Sequence, residues 1–201
     1  MVDTMKAVVN YGRLNPVTLG HRKLALKMRE IADQNNAVPM LFLSPSYDGV
    51  LNSIKKPSTK TKKLRLSRNP LQFEHKLQHA TDALGDIVRI RSEKCSRMFD
   101  IMSILQKEGF TEITLVGDVD FIAVDFEKYN HKLYNFDKIV KVCSGERNND
   151  SQDSLERLSA TKVREAVIKN DYAAFVGMAG TRETTNLMWS RLRKEMEGAI
   201  S

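Results

Sequence analysis

Short apolar runs alternate with longer segments of helical periodicity along most of this chain. Strand-like apolar runs occupy residues 5–10, 37–43, 86–91, 112–116 and 137–143. Helical spacing of apolar residues marks 19–33, 71–84, 96–108 and 119–131, with further helices near 161–169, 171–177 and 183–197. Strands that alternate with helices form a parallel sheet covered by helices on both faces. The sequence therefore predicts an α/β fold, a single doubly wound, five-stranded parallel sheet with C-terminal helices.

The alternation also predicts how the domain is organised. Residues 1–180 are predicted to form one α/β domain, with an insertion at 44–69, and residues 181–201 a helical tail. A doubly wound sheet binds ligands at the carboxyl ends of its strands, beside the switch point. The tail carries an apolar stripe that we expect to pack on the domain or on a partner. The stripe consists of Leu187, Met188, Trp189, Leu192 and Met196.

The net charge of +7 comes from one short segment. Residues 55–68 contain seven lysines and arginines and no acid, and the rest of the chain carries 25 basic and 25 acidic residues. This distribution excludes a uniformly basic nucleic-acid coat and predicts one local electropositive element. Because the segment has no aromatic residue to stack on a base, nucleic-acid binding is disfavoured. We favour a loop that closes over substrate phosphates, or one that docks an anionic or protein partner.

Two further features bear on the compartment. No apolar run reaches 18 residues, so no transmembrane helix and no membrane partner are predicted, and no apolar signal region opens the chain. The two cysteines, Cys95 and Cys143, are far apart and lack CxxC spacing. A cytoplasmic protein without a disulfide framework or a protein-bound metal is therefore expected.

A first candidate motif links the first strand to the first helix. Residues 12–21 read GRLNPVTLGH. A helix N-terminus with unpaired N–H groups attracts phosphate, and Thr18 and His21 lie three apart on its first turn. The hydroxyl and the ring N–H can donate to phosphate oxygens, and Arg13 offers a planar fork of donors. Two glycines, Gly12 and Gly20, allow a sharp turn off the strand and a close approach to the helix start.

A second candidate motif follows the fifth strand and opens another helix. Residues 158–164 read LSATKVR. Ser159 or Thr161 can cap this helix and leave further amides for an anion, and Arg164 shares a face with Thr161. Helix capping alone would explain such a pattern. The two motifs occur in order, about 140 residues apart with strand–helix alternation between them, and together they would bring two helix N-termini onto one triphosphate.

The two motifs resemble the signatures of the HIGH-motif nucleotidylyltransferases, GRFxPxTxGH and ISxTxxR. Leu14 stands where the family usually has an aromatic residue. Gly117-Asp118 resembles the turn that the family places near the nucleotide, although the basic residue that ends that turn is replaced in GDVD. The resemblance covers most of residues 5–178 and implies a Rossmann-like fold. Residues 134–147 and 169–175 resemble a branch of the family met in large bacteriophages.

The resemblance implies transfer of a nucleoside monophosphate from ATP or CTP to a phosphate-bearing acceptor, with release of pyrophosphate. His21 and Thr18 would serve the α- and β-phosphates, and Arg164 the leaving pyrophosphate. Mg²⁺ would be bound through the nucleotide and water. The nucleotide-binding residues would be Gly12, Arg13, Asn15, Gly20, Gly117, Asp118, Ser159 and Thr161.

A third segment bears on the acceptor. Asn69-Pro70-Leu71, ahead of a helix that contains Lys76, is similar to the NPF/NPL segment of archaeal-type nicotinamide mononucleotide adenylyltransferases. The resemblance implies that Asn69 and Lys76 bind the acceptor, with nicotinamide mononucleotide first among the candidates. Phosphopantetheine or a phosphorylated sugar or alcohol with CTP stays open as an alternative.

A different class of function is also open. A structural or interaction protein, for example of a phage particle or a nucleic-acid complex, could retain this fold without catalysis; the GDVD turn and Leu14 favour that alternative. The sequence leaves homo-oligomerisation open. His75 and His79 are predicted to lie on the surface of their helix.

Overall fold

A computed structural model of the protein describes residues 4–47, 69–144, 160–180 and 183–196. The basic segment 55–68 and Ser159 lie outside the described residues, and so do parts of the predicted insertion 44–69 and tail 181–201.

Five parallel strands form one sheet, as the alternation predicts. Their order across the sheet is β3-β2-β1-β4-β5. The strands are β1 (Met5–Gly12), β2 (Val38–Leu43), β3 (Arg89–Arg91), β4 (Phe110–Gly117) and β5 (Lys138–Cys143). The chain thus builds outwards from β1 on one side and then returns to its other side. This all-parallel sheet, with helices between its strands, is a doubly wound, Rossmann-like α/β fold, and its switch point lies between β1 and β4.

Helices connect the strands and complete the C-terminal part. The helices are α1 (Leu19–Asn35), α2 (Phe73–Leu84), α3 (Met98–Lys107), α4 (Val119–Ile122), α5 (Ala160–Ile168), α6 (Tyr172–Ala179) and α7 (Thr185–Glu195). No helix of the described ranges is both long enough and apolar enough to cross a membrane.

The core follows the two-residue period of the central strand. Ala7 and Val9 face a cluster that includes α3 and the buried aromatic residues of 126–136, whereas Val8 faces a cluster with α1 and α2. A third cluster joins α5, α6 and α7 to Leu71, which precedes α2. The tail stripe contributes to this third cluster through its buried residues Met188, Leu192 and Met196.

One predicted helix is largely wrong. Residues 119–131 form only the four-residue α4 and a single 3-10 turn at Glu127–Tyr129. Phe126, Tyr134 and Phe136 are buried in the cluster against α3. Most of 119–131 is therefore a folded loop that buries Phe126 against α3. It does not form one helix with a single apolar stripe.

The predicted strand at 86–91 is also shorter in the structure. β3 contains only Arg89–Arg91, because the backbone N–H groups of Ile87 and Val88 both donate to the carbonyl of Leu84 and prolong the end of α2. Arg91 is buried at the end of the strand, where its guanidinium pairs with Glu93 and Glu108.

Candidate functional site

The loop after β1 leaves the sheet through a tight turn. Gly12 ends the strand, and a Cβ on it would lie 2.7 Å from Leu14 Cδ1. Leu14 itself has φ of 42° and is buried at 3% exposure in the α1–α2 cluster. The aromatic position of the resembled motif is therefore an apolar anchor here, and Gly12 provides the space that the anchor needs. Arg13, between them, is exposed.

Thr18 and His21 form a capping box at the start of α1. The backbone N–H of Thr18 donates to His21 Nδ1 at 3.0 Å, and the His21 N–H donates to Thr18 Oγ1 at 3.4 Å. The two side chains also meet, with 2.9 Å between Thr18 Oγ1 and His21 Nδ1. Thr18 is buried at 2% exposure and is therefore held in this cap.

The capping box assigns the tautomer of His21. Nδ1 accepts the backbone N–H of Thr18, so a neutral ring carries its proton on Nε2. Nε2–H is then a donor on the opposite side of the ring, as contact with a phosphate oxygen requires. The cap thus gives Thr18 an orienting role, and direct contact of its hydroxyl with phosphate stays a prediction.

Arg164 of α5 joins the second motif to the first. Its Nη1 donates to the Asn15 carbonyl at 2.6 Å, and its Nη2 donates to Thr161 Oγ1 at 3.1 Å. Arg164 is buried at 5% exposure, whereas Thr161 is exposed in the first turn of α5. Two segments separated by about 140 residues therefore meet at the carboxyl edge of the sheet. Gly20 lies nearby in the first turn of α1 and is half-buried.

The segment predicted to bind the acceptor also reaches the first motif. The Asn15 side chain makes two hydrogen bonds with the backbone of Leu71, and Asn69 is buried two residues earlier. Lys76 is fully buried, with Nζ donating to the carbonyls of Ser44 (2.5 Å) and Ser46 (2.9 Å) after β2. Lys76 therefore holds the loop that leaves β2, and contact between its ammonium and a substrate stays a prediction.

The end of β4 forms the other side of the switch point. A Cβ on Gly117 would collide with the Phe121 ring, so the turn into α4 depends on glycine. Asp118 caps α4, because its Oδ1 accepts the Phe121 N–H at 3.0 Å. Gly117 and Asp118 thus shape this turn, and their contacts with a nucleotide stay predictions.

Two residues that the motifs did not include stabilise this edge. Asn10 is buried in β1, and its Nδ2 donates to the Val116 carbonyl of β4 at 2.6 Å. The Ser44 N–H donates to the Gly12 carbonyl at 2.9 Å and extends the β1–β2 pairing beyond the strands. A polar residue at the end of an apolar run, as in MKAVVN, is the signal that could have identified Asn10.

The placement of His79 corrects a prediction. His79 is buried at 2% exposure instead of lying on the helix surface, and neither ring nitrogen has a hydrogen-bond partner among the described residues. Burial, aided by the nearby charge of Arg191, lowers the pKa of His79 to about 4. Helix α7 packs against this side of α2: Thr184, its N-cap residue, bonds to Asp82, and Arg191 to Gln78.

Lowering the pH is expected to destabilise the protein through His79. The unfolded chain takes up this proton near pH 6.5, whereas the folded state does so only near pH 4. The free energy of unfolding should therefore keep its full value above pH 6.5 and fall by about 3 kcal/mol as the pH approaches 4. Urea unfolding from pH 7.5 to 4 measures this slope, and His79→Leu should flatten it. An unchanged slope in His79→Leu, as in the control His131→Asn, would contradict this assignment.

Among the described ranges, no group of three or more His, Cys, Asp or Glu side chains is placed to hold a metal ion. A protein cage for Mg²⁺ is therefore absent from the described residues. A Mg²⁺ ion that bridges phosphates and keeps its water ligands does not require such a cage.

Comparison with known proteins gives a likeness of fold only. No protein-family profile and no curated protein match this chain. Among solved structures, the chain is similar to Plasmodium falciparum nicotinic acid mononucleotide adenylyltransferase complexed with NaAD, at 10% identity and TM-score 0.47, covering 94% of this chain and 95% of that one. The APC complex of the same enzyme matches at 13% identity and TM-score 0.35, with the same coverage.

A third similar structure has a different name. It is the macrolide-efflux protein from Streptococcus pneumoniae, at 13% identity and TM-score 0.45, with 89% of this chain and 56% of that one covered. The chain thus spans about half of that protein. Likenesses of this strength carry no argument about function.

Proposed function

We propose that this protein is a nucleotidyltransferase that moves a nucleoside monophosphate from ATP or CTP to a phosphate-bearing acceptor and releases pyrophosphate. The observation that carries the proposal is the hydrogen bond from Arg164 to the Asn15 carbonyl. It brings the second motif onto the first beside the switch point, where parallel α/β sheets bind their ligands. Nicotinamide mononucleotide is the acceptor that we test first, because of the Asn69-Pro70-Leu71 segment.

The proposed reaction is an in-line displacement at the α-phosphorus. An oxygen of the acceptor phosphate forms a bond to the α-phosphorus, and the bond from the α-phosphorus to the bridging oxygen of the β-phosphate breaks. Pyrophosphate leaves with the electron pair. A phosphate monoester has a second pKa of about 6, so the attacking oxygen is already ionised at neutral pH and needs no general base. Catalysis then depends on alignment and on stabilising negative charge.

The chain's own residues match these two requirements. His21 Nε2–H would donate to the α/β-phosphate oxygens, oriented by Thr18, while exposed Arg13 would neutralise phosphate charge. Thr161 and Arg164, which are joined by a hydrogen bond, would hold the leaving pyrophosphate together with Ser159, which lies outside the described residues. Gly20, Gly117 and Asp118 would line the nucleotide, and Asn69 the acceptor. Mg²⁺ is proposed to enter with the nucleotide, held by phosphate oxygens and water.

Ligand-induced stabilisation tests this proposal and identifies the substrates. A nucleotide that binds only the native state stabilises that state by about 2.7 kcal/mol when its free concentration is 100 times its Kd. We expect Mg·ATP or Mg·CTP to raise the Tm, and one acceptor to raise it further. The acceptors to compare are nicotinamide mononucleotide, phosphopantetheine and a phosphorylated sugar or alcohol. If no nucleotide changes the Tm, a structural or interaction protein that retains the fold is favoured instead.

A further inference from the structure

We infer that Asn15 is a positioning residue for the acceptor: its side-chain amide fixes the segment 69–71 against the first motif. The inference rests on the proposed function, because it concerns the phosphate-bearing acceptor of that reaction. It assigns Asn15 a role through protein backbone, where the motif alone suggested contact with phosphate.

The geometry of Asn15 resembles that of a paired β-strand residue. Asn15 Nδ2 donates to the Leu71 carbonyl at 3.3 Å, and the Leu71 N–H donates to Asn15 Oδ1 at 3.1 Å. Asn15 is buried at 2% exposure and Leu71 at 0%. Both ends of the amide thus satisfy the two backbone groups of one buried residue that lies 56 positions away. An amide engaged in this way is held rigidly by the protein.

Asn15 lies at a junction of three segments. Its carbonyl accepts from Arg164 of the second motif, and its side chain holds the segment before α2. The Leu71 side chain also packs in the cluster of α5, α6 and α7. The first motif therefore holds the backbone of Leu71, and the C-terminal helices hold its side chain. A displacement of Leu71 would move Asn69, the residue proposed to bind the acceptor.

This junction predicts a specific kinetic defect. A small misplacement of a positioned group costs far more rate than its own hydrogen bonds suggest, because productive alignment is lost. Asn15→Ala should raise the acceptor KM about tenfold or more, whereas the nucleotide KM should change less, because Arg164 bonds to the backbone carbonyl that alanine retains.

The chain contains a matched control for this contact. Asn130 Nδ2 donates to the Phe136 carbonyl at 2.8 Å, and the Phe136 N–H donates to Asn130 Oδ1 at 2.9 Å. The same two-bond pairing thus occurs in the connection that leads into the amino end of β5, away from the motifs. Asn130→Ala removes a pair of bonds of the same kind from a less buried position, so a general loss of stability is distinguished from a loss of acceptor positioning.

The experiment measures KM for acceptor and nucleotide in Asn15→Ala, Asn15→Asp and Asn130→Ala, together with hydrogen exchange at the Leu71 amide. We expect faster exchange at Leu71 and a raised acceptor KM in Asn15→Ala, and neither change in Asn130→Ala. Asn15→Asp retains an acceptor for the Leu71 N–H but loses the donor to the Leu71 carbonyl, so it should also raise the acceptor KM, and it serves if the alanine variant does not fold.

Different results would separate the two claims. If an Asn15 variant folds and turns over with an acceptor KM within twofold of wild type, the inference about Asn15 is overturned and the proposed function is not. An equal rise in the acceptor KM with Asn130→Ala also overturns the inference, because the defect would then be a general loss of stability. The absence of turnover in the wild-type protein with every acceptor overturns the proposed function and, with it, this inference.

Discussion

Replacing His21 by Glu is expected to abolish pyrophosphate release while leaving the folded protein about as stable as wild type. Glutamate is a preferred residue at the third position of a capping box, so it can accept the Thr18 N–H that His21 Nδ1 now accepts. The same substitution replaces the Nε2–H donor by a negative charge beside the phosphates. Loss of one such donor typically lowers kcat by about 10²–10³-fold, and like-charge repulsion adds to this. The measurement is kcat with saturating substrates, alongside urea unfolding.

The variant separates the two roles of this histidine. His21→Ala should lose both activity and part of the cap, and the control His131→Asn should retain both, since His131 is exposed in the connection before β5. If His21→Glu keeps turnover within tenfold of wild type, His21 is a helix cap only. The assignment of its Nε2–H to the phosphates would then be wrong.

Replacing Arg164 by Lys is expected to lower kcat/KM for the triphosphate by about 100-fold and to destabilise the fold by about 1–3 kcal/mol. Arg164 donates to the Asn15 carbonyl and Thr161 Oγ1 through two different nitrogens, and an ammonium cannot reproduce this planar fork. Lysine keeps the positive charge, so the loss would report geometry rather than charge. Steady-state kinetics and urea unfolding of the same preparation measure both effects.

A second arginine provides the control for this substitution. Arg29 Nε also donates to a backbone carbonyl, that of Ile87, but it lies in the later turns of α1. Arg29→Lys should therefore change stability slightly and leave kcat/KM unaltered. An Arg164→Lys variant with wild-type kinetics and reduced stability would restrict Arg164 to joining the two motifs, and would remove it from the site that holds pyrophosphate.

The sequence predicted the centre of the sheet well, because its central strands bury apolar residues on both faces. The buried apolar residues Ala7, Val8 and Val9 of β1, and Ile113, Leu115 and Val116 of β4, lie within the runs 5–10 and 112–116. The helix predicted over 119–131 was wrong, because Phe126 is buried, and Phe121 and Tyr129 are partly buried, by tertiary packing in the cluster with α3 rather than by a helical stripe. The prediction that His79 lies on the surface of its helix was wrong for a related reason. Spacing within α2 does not reveal that another part of the chain covers the helix on that side.

The site was predictable only as far as local motifs extend. The residues at the start of α1 are defined by spacing, so the Thr18–His21 pair could be anticipated. The contact between Asn15 and Leu71 joins a side chain to backbone atoms 56 residues away, and nothing in the spacing of either segment specifies it. The bonds from Lys76 to the carbonyls of Ser44 and Ser46 are of the same kind. Such contacts depend on how the segments converge at the carboxyl edge of the sheet.

Acceptor-dependent release of pyrophosphate tests the central claim most directly. Purified protein is incubated with Mg·ATP or Mg·CTP and each acceptor, beginning with nicotinamide mononucleotide. Pyrophosphate is then measured, and the joined product is weighed by mass spectrometry. The proposed function predicts that one pair of substrates yields equal amounts of pyrophosphate and of a product containing both nucleoside monophosphate and acceptor, and that His21→Glu yields neither. No acceptor-dependent pyrophosphate from any pair, in protein that is folded by circular dichroism, would contradict the claim.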